Sequence, residues 1–354
     1  MIMTINIKFS VVILWSKVIM KTKKRFIDYI RLIRPQGAAT TAAAVLIGSL
    51  IMGLRNPFHL FILFVIGVLS HTFVFVLNEY TDINIDKQSQ VLQEKPLVSG
   101  IIPKKHAAFI AFLTAFFAYF LTIIIFKSVY PIIFLSLALL FGVIYDIYGK
   151  RIPGSDSFIA GACFFIFLFG ASTISINFTN LIYIVSIACF FHILFNNAVE
   201  GGLKDVDNDF LAGAKTTATR MGVKIKEGKL IITKSFSTLA YSVKTIYIVL
   251  VIIIGFQPEI NLWQSNEDII QFLVVILIIV VFASFYKFWH PSDFNRTQLI
   301  RFFGIHEISA YSLGVVVLIP LIGCWFALLL ILIPLFWFII CNIVLYKTIM
   351  MPQI

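Results

Sequence analysis

Apolar residues fall in runs close to the length that crosses a bilayer as one helix, about 20 residues. The runs cover 37–54, 57–78, 106–126, 129–145, 156–175, 180–200, 236–256, 269–288, 308–322 and 323–347. They predict nine or ten transmembrane helices; little more than Ile322-Gly323-Cys324 separates the last two. Segments of ten residues with strict alternation, the mark of a membrane barrel, are absent. The fold class is therefore all-α, a polytopic membrane bundle. No linker is long enough to isolate a second domain, so 26–354 is expected to form one unit behind a short segment, 1–25.

Composition supports this reading. The chain is 60% hydrophobic and 13% charged, against about one quarter charged in soluble domains. The net charge of +11 has a geography. Basic residues crowd the region before the first run and the loops 79–105, 146–155, 201–235 and 289–305. The alternate loops hold little more than Arg55 and Lys127. Positive loops face the cytoplasm, which places the N-terminus and these four loops there, in the cell membrane. Topology and anionic lipid account for the basic balance, and nucleic acid is not implied. The first 20 residues lack a small-residue cleavage site, so they do not read as a signal peptide; Met20 followed by KTKKRFIDYIRLIRP reads as a natural beginning. Cys163, Cys189, Cys324 and Cys341 show no metal spacing and read as small apolar packers.

The acids change the picture most. Seven of the 17 lie in two stretches at the expected cytoplasmic ends of the second and sixth runs: Glu79, Asp82 and Asp86, then Glu200, Asp205, Asp207 and Asp209. Asn78, Asp82 and Asp86 are four apart and share one face if the helix continues. Asp205 and Asp209 repeat the spacing. Neighbouring carboxylates repel unless a cation intervenes. Oxygen donors without nearby imidazole or thiol suit Mg²⁺, which keeps positions open for phosphate oxygens. Lys95, Lys150, Arg151, Lys204 and Lys215 stand near the two clusters, as a phosphorylated substrate requires.

These stretches resemble the UbiA family of intramembrane prenyltransferases. NEYTDINID resembles the family's N-x-x-x-D-x-x-x-D motif, and DVDND followed by AGAKT resembles its second one. RLIRP, EKPLVSGIIP, YDIYGKRIPGSD and TTATRMG agree in order, over roughly 26–290. The chain departs from the family in three places: nine or ten helices against nine, EGGLK before the second motif, and Asp146 where many members have Ser or Thr. The resemblance implies that two Mg²⁺ ions, held by Asn78, Asp82, Asp86, Asp205 and Asp209, bind the diphosphate of an isoprenyl donor. Lys95, Lys150, Arg151 and Lys204 would bind phosphates, and the isoprenyl tail would lie among the many Phe. Tyr145 and Asp146 would orient the acceptor or take its proton. Asn197 and His192 are candidates for lining the cavity. Lys244, inside the seventh run, either snorkels to the membrane surface or faces the cavity.

Other classes fit less well. A CDP-alcohol phosphotransferase packs its aspartates into one continuous stretch, whereas here more than 100 residues separate them. A transporter places its polar residues mid-span, and these acids stand at span ends. The expected acceptor is an aromatic quinone precursor such as a hydroxybenzoate. The runner-up is geranylgeranylglyceryl phosphate, a precursor of archaeal-type ether lipid.

Overall fold

The structure, a computed structural model, describes residues 25–88, 91–289 and 294–349; the expectations for 1–24 fall outside them. Among the described residues ten long helices form the bundle: α1 (Ala38–Ile51), α2 (Pro57–Thr81), α3 (Lys104–Ile125), α4 (Val129–Tyr148), α5 (Asp156–Ser172), α6 (Asn180–Lys204), α7 (Lys234–Gly255), α8 (Asp268–Trp289), α9 (Arg296–Val316) and α10 (Cys324–Tyr346). All but α1 and α5 are long and apolar enough to cross a membrane by themselves. The protein is thus a multi-pass membrane protein.

Local sequence sets the ends. Asn56 caps α2 by accepting from the His59 amide, ahead of Pro57 at the first position. Ser128, Thr233 and Asn295 cap α4, α7 and α9 in the same way. Gly323, at φ 87°, turns the chain between α9 and α10 in a conformation that L side chains resist. The last two runs are therefore separate helices.

The α9 boundary corrects the sequence reading. This helix starts at Arg296, twelve residues before the expected 308, inside what reads as a loop. Arg296, Arg301, His306 and Glu307 depress its hydropathy. Its buried face of Leu299, Ile300, Phe303, His306 and Ala310 nevertheless has helical spacing. A two-strand hairpin, Lys224–Lys226 with Lys229–Ile231, is a small addition to the all-α class, turning at Glu227 and Gly228.

Helices α1 and α5 cross near the middle of the bundle. Helices α2, α3 and α4 pack to one side and α6 and α7 to the other; α8 pairs with α9, and α10 returns to α1. The contact between α1 and α5 is backbone against backbone, because Gly48 sits on the Phe167 carbonyl and Gly170 on the Val45 carbonyl. Small residues permit this approach, and in a membrane such packing drives association in place of the hydrophobic effect. The cysteines are less scattered than their spacing implies: Cys163 of α5 and Cys189 of α6 bring their sulfurs within 3.1 Å.

Candidate functional site

The acidic stretches meet at one end of the bundle. Helix α2 ends at Asp82, its C-cap, and one further helical turn, Ile83–Asp86, carries the chain on. Asp82 and Asp86 are both buried, as is Glu79 one turn back. Lys95, from the following loop, reaches Glu79 at 3.0 Å and Asp86 at 2.7 Å. Lys150, from the end of α4, reaches Asp86 at 2.9 Å and Asp82 at 3.2 Å. Arg34, just before α1, pairs with Glu79. The result is a continuous chain of alternating charge: Arg34, Glu79, Lys95, Asp86, Lys150, Asp82.

The second stretch comes to the same place. Asp209 is buried within electrostatic reach of Lys150 and Asp82. Two backbone bonds dock its loop on the α4–α5 connection: the Lys215 amide donates to the Lys150 carbonyl (2.9 Å), and the Gly154 amide donates to Thr217 Oγ1 (3.1 Å). Thr217 in turn donates to Asp156 at 2.6 Å. At the base of the loop, the Arg296 side chain pairs with Asp207 and donates from Nε to the Lys204 carbonyl at 3.1 Å. Asp207 is thereby engaged in an ion pair of its own.

Charge state follows from these contacts. Burial pushes the Asp82 carboxyl up, Lys150 opposing and Asp86 adding to the rise. For Asp86 burial acts the same way, but the Lys95 and Lys150 ammoniums outweigh it and hold the group below the ordinary carboxylate value. Burial, reinforced by Asp205, pushes Asp209 up to about 6. Burial would lower Lys150, yet Asp82 and Asp86 raise it.

Tyr145 and Asp146 lie next to this chain. Asp146 is buried, 3% exposed, and neither of its carboxylate oxygens has a hydrogen bond. The Asn78 amide lies close to it, and Asp82 is within electrostatic reach. Tyr145 stands in the field of Asp82, Asp146, Asp156 and Asp209.

Other expected residues are placed differently. Arg151 is exposed. Asp205 and Lys204 pair with each other at 3.4 Å on the rim, Asp205 being 43% exposed. Asn197 donates to its own helix, to the Ile193 carbonyl at 3.0 Å. Arg34 and Glu79, which the spacing argument did not assign to the site, are members of its ion chain. The signal for Arg34 was the RLIRP stretch, and for Glu79 its place between Asn78 and Asp82.

The donor chemistry fits a hard divalent cation. Among the described residues no three acids, histidines or cysteines converge on one point. The acids on offer, Asp82 with Asp86 and Asp205 with Asp209, supply only carboxylate oxygen, the donor type with which Mg²⁺ is commonly held alongside water and phosphate. Asp82 and Asp209 are buried acids whose ionised forms lack full compensation, and a cation would supply it.

A bundle of apolar helices gathering carboxylates and lysines from separate loops at one end defines an intramembrane enzyme that handles charge at the membrane boundary. A sequence profile of the UbiA prenyltransferase family matches residues 38–305. The chain belongs to that family and is a prenyltransferase. Solved structures agree in fold. A UbiA homolog from Archaeoglobus fulgidus bound to GPP and Mg²⁺ superposes with a TM-score of 0.59 at 18% identity, over 81% of this chain and 99% of that one. The apo UbiA homolog from Aeropyrum pernix K1 gives 0.62 at 13% identity, over 80% and 98%. A digeranylgeranylglyceryl phosphate synthase gives 0.58 at 19% identity, over 81% and 97%. A comparison with curated protein sequences finds no match.

Proposed function

We propose that the protein transfers an isoprenyl group from a polyprenyl diphosphate, in a Mg²⁺-dependent reaction, to an aromatic quinone precursor such as a hydroxybenzoate. The observation that carries this reading is the pairing of Lys150 with both Asp82 and Asp86, with Asp209 of the second stretch within its electrostatic reach. Asp82 and Asp86, with Asn78, would hold one cation, and Asp205 with Asp209 a second. When bound, Mg²⁺ supplies neutralising charge to the leaving diphosphate. The A. fulgidus homolog bound to GPP and Mg²⁺ supports a prenyl diphosphate and Mg²⁺ as what this site takes.

The chain's own residues do the rest. Lys95 and Lys150 bind phosphate oxygens, while Glu79, itself paired with Arg34, holds Lys95 in place. The allylic C–O bond breaks with its electron pair going to the diphosphate, in a setting where fixed charges stabilise the departing group. The acceptor's nucleophilic carbon or oxygen forms the new bond to the allylic carbon, and its proton passes to Asp146, whose buried oxygens are free to take it. Tyr145 orients the acceptor beside it. The basic loops support a cytoplasmic location for this end of a cell-membrane protein.

The test is transfer of radiolabelled geranylgeranyl diphosphate by purified protein in lipid, with and without chelator, to 4-hydroxybenzoate and to geranylgeranylglyceryl phosphate. Mg²⁺-dependent product on the aromatic acceptor is expected. Product on the glyceryl phosphate alone replaces the acceptor and keeps the transfer, whereas chelator-resistant product rejects the cation site. A pH profile adds a second check. Asp209 takes a proton as pH falls through about 6, and a protonated carboxyl no longer ligates a cation. Transfer is therefore expected to decline below about pH 6, and the Mg²⁺ needed for half-maximal rate to rise. The sign for stability is opposite: a raised carboxyl weakens the cation-free protein as pH rises through this range. A rate that stays flat from pH 5 to 7.5 would remove Asp209 from the ligand set.

A further inference from the structure

Arg34, the first member of the charge chain, stands on backbone that few side chains accept. Its φ is 44° and its ψ 58°, the left-handed region, where residues other than glycine are uncommon. Pro35 follows it, and a residue before proline is pushed towards extended backbone. Strain of this kind persists only where the surrounding structure over-determines it. The turn separates the helical residues 25–32 from the short 3-10 turn Pro35–Gly37 that leads into α1. It also sends the Arg34 guanidinium past the Phe75 ring, 5.9 Å from its centroid, to Glu79.

Two helices hold the turn. From α2, His71 reaches the Arg34 carbonyl at 3.0 Å. A carbonyl only accepts, so His71 Nε2 carries the proton, and Nδ1 accepts from the Thr41 hydroxyl at 3.0 Å. From α10, Trp337 Nε1 donates to the Pro35 carbonyl at 2.6 Å. The Leu345 carbonyl, without a partner of its own at the end of α10, accepts from Arg31 Nη2 at 2.8 Å. The Arg31 guanidinium lies 5.4 Å from the centroid of the Tyr346 ring. Helix α10 thus grips the chain on both sides of Arg34. Its own position is fixed nearby. Pro334 lacks an N–H and so frees the carbonyl of Leu330, one turn back, and the Tyr311 hydroxyl of α9 donates to that carbonyl at 2.8 Å. Trp337 stands one turn beyond this anchor, its ring edge-on to Phe64 of α2. Apolar packing would seat α10 on α1 without either bond to 31–35, and both bonds bracket the one residue whose backbone needs restraint.

We propose that α10 positions Arg34. Trp337 on the Pro35 carbonyl, and the Leu345 carbonyl on Arg31, clamp the left-handed turn that aims the guanidinium at Glu79. Trp337 is a positioning residue, because it acts through Arg34. This rests on the prenyl-transfer reading of the acidic end and deepens it. The consequence is electrostatic. Glu79 is shared between Arg34 and Lys95. With the turn released and Arg34 withdrawn, the Glu79 charge falls on Lys95 alone and draws its ammonium off the phosphate oxygens. Donor affinity then falls, although α10 touches neither acidic stretch.

The experiment uses full-length protein in lipid and follows equilibrium binding of a non-hydrolysable geranylgeranyl diphosphate analogue with Mg²⁺. Trp337→Phe keeps a ring and removes the N–H. It is expected to weaken the analogue about tenfold, within the range for a buried carbonyl left without its donor. A second background separates positioning from packing. Because the indole acts through the arginine, Arg34→Gln with Trp337→Phe is expected to bind no more weakly than Arg34→Gln alone. Additive losses overturn the proposal, since a packing contact acts whatever stands at position 34. Unchanged affinity in the folded Trp337→Phe protein overturns it as well. If Trp337→Phe does not fold, Arg31→Met, which removes the other clamp, is read in the same cycle. Arg31→Lys, which keeps a donor for the Leu345 carbonyl, is expected to bind the analogue as the wild type does. A wild type that binds no analogue with Mg²⁺ rejects the transfer reading and this inference with it, whereas failure of the variants alone leaves the transfer reading in place.

Discussion

Asp86→Asn is expected to lower transfer by about 10²–10³-fold, the loss seen when one fixed charge or donor is removed from the stabilisation of a developing anion. Asp86 is the best-connected acid of the site. It is 1% exposed, bonded on one oxygen to Lys95 at 2.7 Å and on the other to Lys150 at 2.9 Å. The amide keeps the shape and withdraws the charge. It removes a candidate ligand and also loosens both lysines, which are then held only by Glu79 and by Asp82. The consequences should divide in a recognisable way. The donor's KM and the Mg²⁺ requirement rise together, since both depend on this carboxylate, while the acceptor's KM changes little. Folding should suffer moderately: breaking a buried ion pair by removing one partner costs about 3–5 kcal/mol, reduced here by the remaining partner of each lysine. Transfer within tenfold of the wild type at saturating Mg²⁺ would show that Asp86 serves the ion chain alone.

How legible the site was depends on the separation of the groups that make it. Asp82, Asp86 and Asp209 could be read because each lies four residues from another oxygen donor at the end of an apolar run. Lys95 and Lys150 could be read as bases near those acids. The pairing of Arg34 with Glu79 could not, because 45 residues separate them and only the packing of α2 beside the chain entering α1 brings them together. The role of Arg296 was hidden for a related reason. The first turns of its helix are polar enough to read as a loop, and its partner Asp207 lies 89 residues earlier. Asn196 approaches His192 at 3.5 Å, whereas Asn197 turns to its own backbone. Both lie in the π-helical stretch Phe195–Gly201, whose register a 3.6-residue period does not anticipate. The groups within electrostatic reach of Lys244 were not legible together, since they come from three helices far apart in the chain: His192 and Glu200 from α6, Lys244 itself from α7, His306 and Glu307 from α9.

The fold itself was read from apolar run length, and the point at which it is most vulnerable is where two runs touch without side chains between them. Gly170→Leu is expected to abolish most of the folded protein. A Cβ at Gly170 would fall on the Val45 carbonyl oxygen, and Gly48 makes the reciprocal contact with the Phe167 carbonyl one turn away. No rotamer relieves a clash with backbone, so α1 and α5 must separate, at about 3 kcal/mol or more, the upper range for overpacking. The close approach of the whole crossing is then forfeited, and in lipid no hydrophobic gain compensates for it. Gly201→Ala is the contrasting substitution. Its nearest neighbour would be the Asn196 carbonyl oxygen at 3.4 Å, an ordinary contact, so its yield and melting temperature should match the wild type. Detergent-solubilised yield and thermal melting by size-exclusion fluorescence read both variants, and a Gly170→Leu protein that melts with the wild type would show that the crossing can give. Residual folded protein should also be a poor enzyme. Helix α1 is entered from Arg34, and α5 begins at Asp156, which anchors Thr217 of the second acidic loop. Spreading these two helices therefore moves Arg34 and the Asp209 loop apart, and the charge chain at the end of the bundle depends on both.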